Sequence, residues 1–154
     1  VEVSEVTRRY PDGRLDVIVT GKSRYTLRSL REGEELYYVG IVDYFADEED
    51  DLLDRELRAG CIALYNELIE IVYPGAAEEY VLDVSTNLTA SFVIAQKAGL
   101  DILRKQELLE IRSENRRLEI LQDYMERLLP DLREKRRLQD VIMSDGYIPN
   151  HNKK

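Results

Sequence analysis

The chain has 154 residues, of which 44% are hydrophobic and 34% are charged, a composition typical of folded domains and too apolar for a disordered chain. Its formal net charge of −9 opposes nucleic-acid binding over the surface as a whole, so we expect no nucleic-acid partner. No apolar stretch approaches the ~20 residues that cross a bilayer, and the first residues, VEVSEV, lack the basic and apolar segments of a signal peptide. We therefore expect neither a membrane partner nor export.

Cysteine and histidine are too scarce for most metal and redox chemistry. Cys61 is the single cysteine, which precludes an intramolecular disulfide and fits a reducing cytoplasm. His151 is the single histidine and lies in a polar tail at residues 146–154, so histidine-based metal sites and buried Ser-His-Asp triads are not expected. We predict no metal and no cofactor. The chain also lacks an initiating methionine, so we expect it to be part of a longer product.

The residue pattern changes near residue 46, which predicts an α+β fold in two parts. Residues 1–46 are rich in β-branched residues, aromatic residues and turn signals, whereas residues 47–145 carry leucine, glutamate and arginine at helical spacing. Pro11, Asp12 and Gly13 form a turn signal, because proline fixes φ, aspartate bonds back to the backbone and glycine accepts a positive φ. We therefore predict a β-hairpin made of residues 2–10 and 15–20.

Two more strands are predicted after this hairpin. The segment SRYTLRSL, from residue 23, alternates apolar and polar residues and predicts a third strand, and REGEE at 31–35 predicts a polar turn. The segment ELYYVGIVDYF at 35–45 predicts a fourth strand with two largely apolar faces. We expect this strand either to be central in a sheet or to carry an exposed apolar face.

The sequence Gly21-Lys22-Ser23 after the second strand resembles the end of a phosphate-binding loop. Such a loop requires G-x-x-x-x-G-K-[ST] followed by a helix, whose N-terminus faces the phosphates. Asp16 occupies the position of the first glycine, and a strand follows instead of a helix. We interpret these residues as a connection between strands. Since no other catalytic motif is present, we expect no enzymatic activity.

The second part of the chain begins with the acidic run DEEDD at 47–51. This run lacks the central glycine and the ligand spacing of a calcium loop, so we interpret it as a helix start that is capped by Asp47. The first helix is predicted to end at Pro74 and Gly75. Its apolar residues recur at spacings of three and four and form one stripe: Leu53, Leu57, Cys61, Leu64, Leu68 and Val72.

Three further helices complete the predicted helical bundle. The first covers residues 85–97 and stops at Gly99, the next starts near Asp101, and the last is capped by Ser113. Pro130 interrupts the last helix and predicts a kink or a restart there. The last helix has a heptad-like stripe, which predicts either an intramolecular core or a self-association surface: Leu118, Leu121, Met125, Leu128 and Leu132.

The segment from Tyr10 to Phe45 resembles the N-terminal, substrate-binding domain of the ATP-dependent protease Lon. That family typically shows a valine-rich strand, a P-D-G turn, and strands of the forms G-x-x-R-F-x-I and Y-x-V-A-x-V-x-Y. The corresponding stretches here are RRYPDGRLDVIVTGKSRYTL and ELYYVGIVDYF, and RKQELLEI at 104–111 is similar to a segment of the family's helical part. The residues that occupy the corresponding strand positions are Gly21, Arg24, Tyr25, Leu27, Tyr37, Val39, Gly40, Val42 and Tyr44.

The resemblance covers about residues 1–130 and implies a PUA-like β-barrel followed by an α-helical bundle. It also implies a non-catalytic module that binds unfolded or degron-bearing protein segments, because no ATPase or protease module is present in the chain. Family members usually begin with further strands that this chain does not show. We therefore expect an unpaired sheet edge, which favours an added strand, a strand-swapped partner or a homodimer.

The resemblance and the apolar fourth strand together predict a peptide-binding surface. Ile41 stands where the family often has a charged residue, which makes its face of the strand more apolar than expected. That face either packs under the helices or docks an extended peptide, where aromatic side chains give contact area at a low entropy cost. The candidate peptide-binding residues are Arg24, Tyr25, Tyr37, Val39, Ile41 and Phe45.

Two other functions compete with substrate recognition. A structural or adaptor module would act through homo-oligomerisation or partner docking of the helical bundle, and the heptad-like stripe motivates it. RNA binding would follow only from analogy with PUA-like barrels, and the net charge of −9 opposes it.

Overall fold

The chain folds into a strand-rich part and a helical part, so the fold is α+β. It divides into two compact units, Val1–Glu48 and Glu49–Lys154, which we call the β unit and the helical unit. The predicted polar tail lies outside the described residues. The computed structural model describes residues 1–32, 37–48, 52–75, 77–83 and 89–145.

The first hairpin of the β unit joins β1 (Glu2–Arg9) and β2 (Leu15–Thr20) in antiparallel pairing, which confirms the predicted hairpin. Its turn follows from the sequence, because Gly13 has a φ of 89°, a left-handed conformation that glycine adopts without a Cβ clash. The Tyr10 amide donates to the Arg14 carbonyl at 2.9 Å and closes the turn. The turn therefore sets the register of the two strands.

The second hairpin pairs β3 (Arg24–Arg31) with β4 (Val39–Phe45) in a separate antiparallel sheet. β4 begins later than predicted, because Tyr37 and Tyr38 precede it, and residues 33–36, which include most of the predicted turn, lie outside the described residues. Among the residues that the structure describes, the strands form two separate two-stranded sheets and no closed barrel. Within the described ranges β4 is thus paired on one side only, as an edge strand and not a central one.

The helical unit contains five described helices, and α5 packs against both α1 and α3. None of the helices within the described ranges is long and apolar enough to span a membrane. The helices are α1 (Arg55–Val72), α2 (Ala77–Tyr80), α3 (Ala90–Lys97), α4 (Ile102–Glu110) and α5 (Glu114–Asp145).

The first helix begins later than predicted. Asp54 is its N-cap, because the Asp54 carboxylate accepts hydrogen bonds from the Glu56 and Leu57 amides at 2.9 and 3.0 Å. The prediction that Asp47 caps this helix is wrong. Asp47 instead forms an ion pair with Arg24 inside the β unit. Several acidic residues precede the helix, so the capping preference of aspartate alone does not select among them.

The end of α1 is capped partly by another helix. α1 ends at the predicted stop, after which Gly75 adopts a φ of 91°. Its last turn contains no basic residue, but Arg136 of α5 donates to the carbonyls of Glu70 and Ile71 at 3.2 and 3.1 Å. Arg136 thus satisfies carbonyls that the helix leaves unpaired and places a positive charge at the negative end of the helix dipole.

The middle helices follow the sequence signals. Residues 84–88 lie outside the described part of the chain, so the predicted helix over 85–97 is described only as α3, which is followed by Gly99 with a φ of 79°. The Asp101 carboxylate accepts from the Arg104 amide at 2.9 Å and confirms the predicted start of α4. The short helix α2 was not predicted, because four residues are too few to show a helical period.

The last helix, α5, is continuous through Pro130, so of the two predicted alternatives, a kink or a restart, the restart is wrong. The Ser113 hydroxyl accepts from the Arg116 amide at 3.1 Å, which confirms Ser113 as the cap. A proline inside a helix costs about 3 kcal/mol because it removes one amide donor and crowds the preceding turn. Leu129 is buried in the core directly before Pro130, and Leu132 packs against the core after it. Packing on both sides therefore holds the helix together.

One apolar core fills the helical unit. Leu118, Leu121 and Met125 of α5 are fully buried in it, so the heptad-like stripe that suggested self-association is an intramolecular core. The buried apolar residues are Cys61, Ile62, Tyr65, Leu68, Ile69, Ala90, Ile94, Ala95, Ala98, Leu100, Leu108, Leu118, Leu121, Met125 and Leu129.

A buried polar cluster ties α3 to α5. The Ser91 hydroxyl and amide donate to the Glu114 carboxylate at 2.6 and 3.0 Å. Arg117 donates to the same carboxylate at 2.7 Å and to the Ser91 hydroxyl oxygen at 2.9 Å, and its guanidinium lies 4.4 Å from the centre of the Phe92 ring. The buried charges are therefore paired and hydrogen-bonded, which offsets the cost of removing them from water.

Two asparagines hold irregular segments against the helices through paired backbone hydrogen bonds. Asn66 of α1 accepts from the Leu82 amide at 2.8 Å and donates to the Leu82 carbonyl at 2.9 Å. Asn115 of α5 accepts from the Asp54 amide and donates to the Leu52 carbonyl, both at 2.8 Å. Asn115 thus fixes the position of the N-cap of α1, which explains why the helix starts after Asp54.

Candidate functional site

The first hairpin carries an exposed apolar face. In its register Val3 stands opposite Val19 and Val6 opposite Val17, and Leu15 lies on the same side because side chains alternate along a strand. All five side chains are exposed, and we call this surface the valine face. Cross-strand apolar pairs of this kind usually lie under a covering layer.

The polar face of the first hairpin is occupied by internal contacts. The Tyr10 hydroxyl donates to the Asp16 carboxylate at 2.8 Å, and this hydrogen bond raises the pKa of the Tyr10 phenol. Lys22 forms an ion pair with Glu2 at 2.7 Å. The polar groups of the hairpin thus bond to one another, while its apolar face remains open.

The second hairpin also carries an exposed apolar face. Tyr25, Leu27 and Leu30 of β3 share it with Val42 and Tyr44 of β4, and we call this surface the tyrosine face. The rings of Tyr25 and Tyr44 meet edge to face with their centroids 6.1 Å apart. They remain 53% and 72% exposed, so most of their surface is free to contact a partner.

A bulge and a glycine shape the tyrosine face. The register shifts between Leu27 and Ser29, so Leu30 stands opposite Gly40 and returns to the face that carries Leu27. The Leu27 Cδ1 atom lies 3.1 Å from the point where a Cβ on Gly40 would stand. Leucine thus fills the space above the glycine, and the apolar surface continues across both strands.

The opposite face of the second hairpin is partly covered by internal contacts, although Ile41 on this face is 44% exposed. Arg24 stands opposite Phe45, and its guanidinium lies 4.9 Å from the centre of that ring. Arg24 also pairs with Asp47, and only 16% of its side chain is exposed. Arg28 similarly pairs with Asp43. Arg24 and Phe45 are therefore already engaged with groups of the same hairpin.

The structure divides the predicted peptide-binding residues between the two faces. Tyr25 lies on the tyrosine face, and Tyr37 precedes β4 and is exposed. The face opposite the tyrosine face brings together the other four: Arg24, Val39, Ile41 and Phe45.

The tyrosine face contains residues that sequence reasoning did not select. The alternation in SRYTLRSL already places Leu27 beside Tyr25, and the fourth-strand pattern places Tyr44 on an apolar face. Leu30 could not be assigned in this way, because the bulge at Arg28 shifts the alternation by one residue. The exposed face of the second hairpin is therefore larger than the sequence predicted.

Every strand of the β unit also has an open edge. Each sheet has two strands, so within the described ranges β1, β2, β3 and β4 are each paired on one side only. An unpaired strand edge presents backbone amides and carbonyls that can pair with another extended chain. The β unit thus offers apolar faces and hydrogen-bonding edges on the same strands.

Two grooves of the helical unit lie beside α5. The first measures about 720 Å³ and contains a paired Arg133 and Glu67, whose atoms approach to 2.6 and 2.7 Å. Hydrogen bonding from Arg133 lowers the pKa of Glu67. The second measures about 440 Å³, and Leu108 and Tyr124 contribute to its lining beside Arg104. Among the residues that the structure describes, no group of three or more His, Cys, Asp or Glu side chains could hold a metal ion.

Other shifted pKa values in the helical unit have structural causes. Burial raises the pKa of the Cys61 thiol to about 12, and the charge of Glu114 adds to the effect. Burial also raises the pKa of Tyr65, whose hydroxyl donates to the Tyr80 carbonyl at 3.0 Å. A thiol with so high a pKa is not a nucleophile at neutral pH, because the thiolate is the reactive form.

The sequence matches a known family over most of its length. Residues 1–127 match the family model of the ATP-dependent protease La (LON) substrate-binding domain. The match covers the whole β unit and reaches into α5 of the helical unit. No curated protein matches the chain.

Proposed function

The chain belongs to the LON substrate-binding domain family, and on this premise we propose that it is a non-catalytic module that recognises unfolded or degron-bearing protein segments. The binding surfaces in this proposal are the tyrosine face and the valine face of the β unit. Family membership confirms the resemblance noted in the sequence, and the description of the family names a substrate-binding role.

The observation that carries the proposal is the exposure of apolar side chains on both hairpins. Folded monomeric proteins rarely leave contiguous apolar patches uncovered unless a partner binds there. A two-stranded hairpin is also only marginally stable alone in water, so a bound segment would stabilise the strands that bind it. Aromatic residues such as Tyr25 and Tyr44 suit this role, because they give a large contact area for few rotatable bonds.

We propose the PUA-like arrangement of the strands on the strength of family membership. An added extended segment would supply pairing that each two-stranded sheet lacks on its open edges. The net charge of −9 and the single cysteine support a protein ligand in a reducing cytoplasm over a nucleic-acid ligand.

Fluorescence anisotropy with labelled, unfolded casein tests the proposed function. We expect saturable binding to the unaltered protein at micromolar concentrations and weaker binding to Leu30→Ser, which removes an apolar side chain from the tyrosine face. Leu103→Ser is the matched control, because Leu103 is also an exposed leucine but lies on α4. No saturable binding at tens of micromolar, or equal effects of the two substitutions, would argue against the proposal.

A further inference from the structure

The outer edge of β3 is basic. β3 pairs with β4 along one side, and within the described residues no strand pairs with its other side. It carries Arg24, Arg28 and Arg31 and no acidic residue, in a chain whose net charge is −9. Asp47 and Asp43 offset the charges of Arg24 and Arg28, so the charge that remains along this edge is positive, and it favours an acidic partner at that place.

The two faces of β3 carry different kinds of side chain, with arginines on one face and large apolar residues on the other. Arg24 and Arg31 stand opposite β4 residues of one face, and Arg28 reaches Asp43 on that same face. The large apolar side chains of β3 all belong to the tyrosine face on the other side. A strand added to this edge would therefore meet apolar groups on one face and guanidinium groups on the other.

We propose that the outer edge of β3 takes up an extended protein segment in which apolar and acidic residues alternate. This proposal rests on the proposed function and names its class of substrate. Backbone hydrogen bonds to β3 supply affinity, the apolar side chains of the segment extend the tyrosine face, and its carboxylates meet the arginines. A guanidinium has five donors, so Arg28 can bind a second carboxylate while it pairs with Asp43.

The other strands lack this arrangement of charge. β1, with the sequence EVSEVTRR, contains two glutamates and two arginines, so an acidic segment would meet charges of both signs. β2 and β4 contain no basic residue, and their charged residues are Asp16 and Asp43. Of the four described strands, β3 alone carries only positive charges.

Anisotropy with short labelled peptides tests the proposal on the full chain. In each of three peptides, valine or tyrosine alternates with one polar residue. That residue is glutamate in the first peptide, glutamine in the second and lysine in the third. We expect the glutamate peptide to bind about tenfold more tightly than the lysine peptide, because each cross-strand charge pair contributes modestly and Arg28 and Arg31 act together, whereas Arg24 is engaged by Asp47 and Phe45. The glutamine peptide should lie between them. N-methylation of the peptide amides that face β3 should abolish binding, since it removes the donors of the strand ladder.

A charge-reversal variant tests whether the preference for the glutamate peptide over the lysine peptide arises at β3. Arg31→Glu should reduce the preference for glutamate over lysine several-fold, because it replaces one attractive pair by a repulsive one. Arg55→Glu is the matched control, since Arg55 is an exposed arginine at the start of α1 in the helical unit and lies on neither proposed binding face. Circular dichroism checks that both variants keep the fold of the unaltered protein.

Two results would overturn the proposal. The first is equal affinity for the glutamate and lysine peptides, and the second is an unchanged preference in Arg31→Glu. If unfolded casein still binds in either case, the failure is confined to the β3 edge and the proposed function stands. If casein and all three peptides fail to bind, both proposals fall.

Discussion

Arg117 donates to Glu114 at 2.7 Å in the interior of the helical unit, where the arginine side chain is fully buried and the carboxylate is 10% exposed. The neighbouring residue, Arg116, forms an ion pair with Glu119 at the same distance and the same spacing of three residues. In that pair the side chains of both Arg116 and Glu119 are mostly exposed. The two pairs differ in their exposure to water and in their further contacts, since Glu114 and Arg117 also bond to Ser91. They therefore compare a buried ion pair inside a hydrogen-bond network with an exposed ion pair of the same sequence spacing.

We expect Arg117→Ala to lower the free energy of unfolding by about 3–5 kcal/mol, because it leaves the Glu114 carboxylate buried without its charge partner. Arg116→Ala should cost less than about 1 kcal/mol, as is usual for exposed pairs. Urea denaturation followed by helical circular dichroism measures both. Similar losses in the two variants would contradict the structural role of the buried pair.

The contact of Arg136 with the end of α1 predicts a position-specific effect on stability. We expect Arg136→Ala to cost about 1 kcal/mol, because two carbonyls lose a charged donor and the helix dipole loses its counter-charge. Arg137→Ala is the control, since Arg137 is mostly exposed and its nearest carboxylate, that of Glu134, is 3.9 Å away. Thermal unfolding compares the two variants, and an equal shift in Tm would count against the capping role.

The Glu67–Arg133 pair predicts that the stability of the folded protein changes with pH in the acidic range. The pKa of Glu67 is lowered from its ordinary value of 4.5 in the folded protein, chiefly by hydrogen bonding from Arg133. Its contribution to stability is therefore complete above pH 4.5 and is lost as the pH falls through the folded-state pKa. Glu67→Gln should make stability fall less steeply in that acidic range. Glu126→Gln on α5 is the control, and identical pH profiles for the unaltered protein and Glu67→Gln would refute the prediction.

Cys61 reports on the opening of the helical core. Burial raises the pKa of its thiol from 9.0 to about 12, so the stability it contributes is present below pH 9 and is lost as the pH rises through 12. At pH 8 we expect a disulfide-exchange reagent to label folded protein only as fast as the helical unit opens, and to label urea-unfolded protein rapidly. Rapid, complete labelling of the folded protein would show that the thiol is accessible.

Gly40 stands where the family pattern has alanine, which predicts a stabilising substitution. The added Cβ of Gly40→Ala would approach Leu27 Cδ1 to 3.1 Å, but that atom ends a flexible side chain that is half exposed and free to shift. We expect a gain of about 0.5–1 kcal/mol, because alanine restricts the unfolded chain. Gly13→Ala should have the opposite sign, since its φ of 89° strains any side chain. Hydrogen exchange of the strand amides measures both effects, and a loss of protection in Gly40→Ala would contradict the prediction.

Local signals in the sequence were sufficient for most elements of the fold. The Pro-Asp-Gly turn, the caps Asp101 and Ser113 and the stop after α1 depend on neighbouring residues, so they can be identified from the sequence. The alternation of apolar residues likewise located β1, β2 and β3. These features are fixed by contacts between residues that are close in the chain.

The features that the sequence did not reveal depend on distant residues. Asp54 is selected as the cap of α1 by Asn115, which lies 61 positions away. Pro130 is tolerated because packing holds α5 on both sides of it. In the candidate site, Leu30 joins the tyrosine face only through the bulge at Arg28, which exists because of pairing with β4. Alternation alone therefore predicted part of the site and missed the rest.

The pairing of α1 with α5 has a consequence for synthesis on the ribosome. The contacts that join the two helices, such as Asn115 with Asp54 and Arg133 with Glu67, link residues 61 to 66 positions apart. At about 5–20 residues per second, translation needs roughly 3–13 s to add that length of chain. During this interval α2 and α3 are made and can pack against α1, but the side of α1 that contacts α5 stays uncovered, so we expect the nascent chain to bind chaperones until α5 emerges.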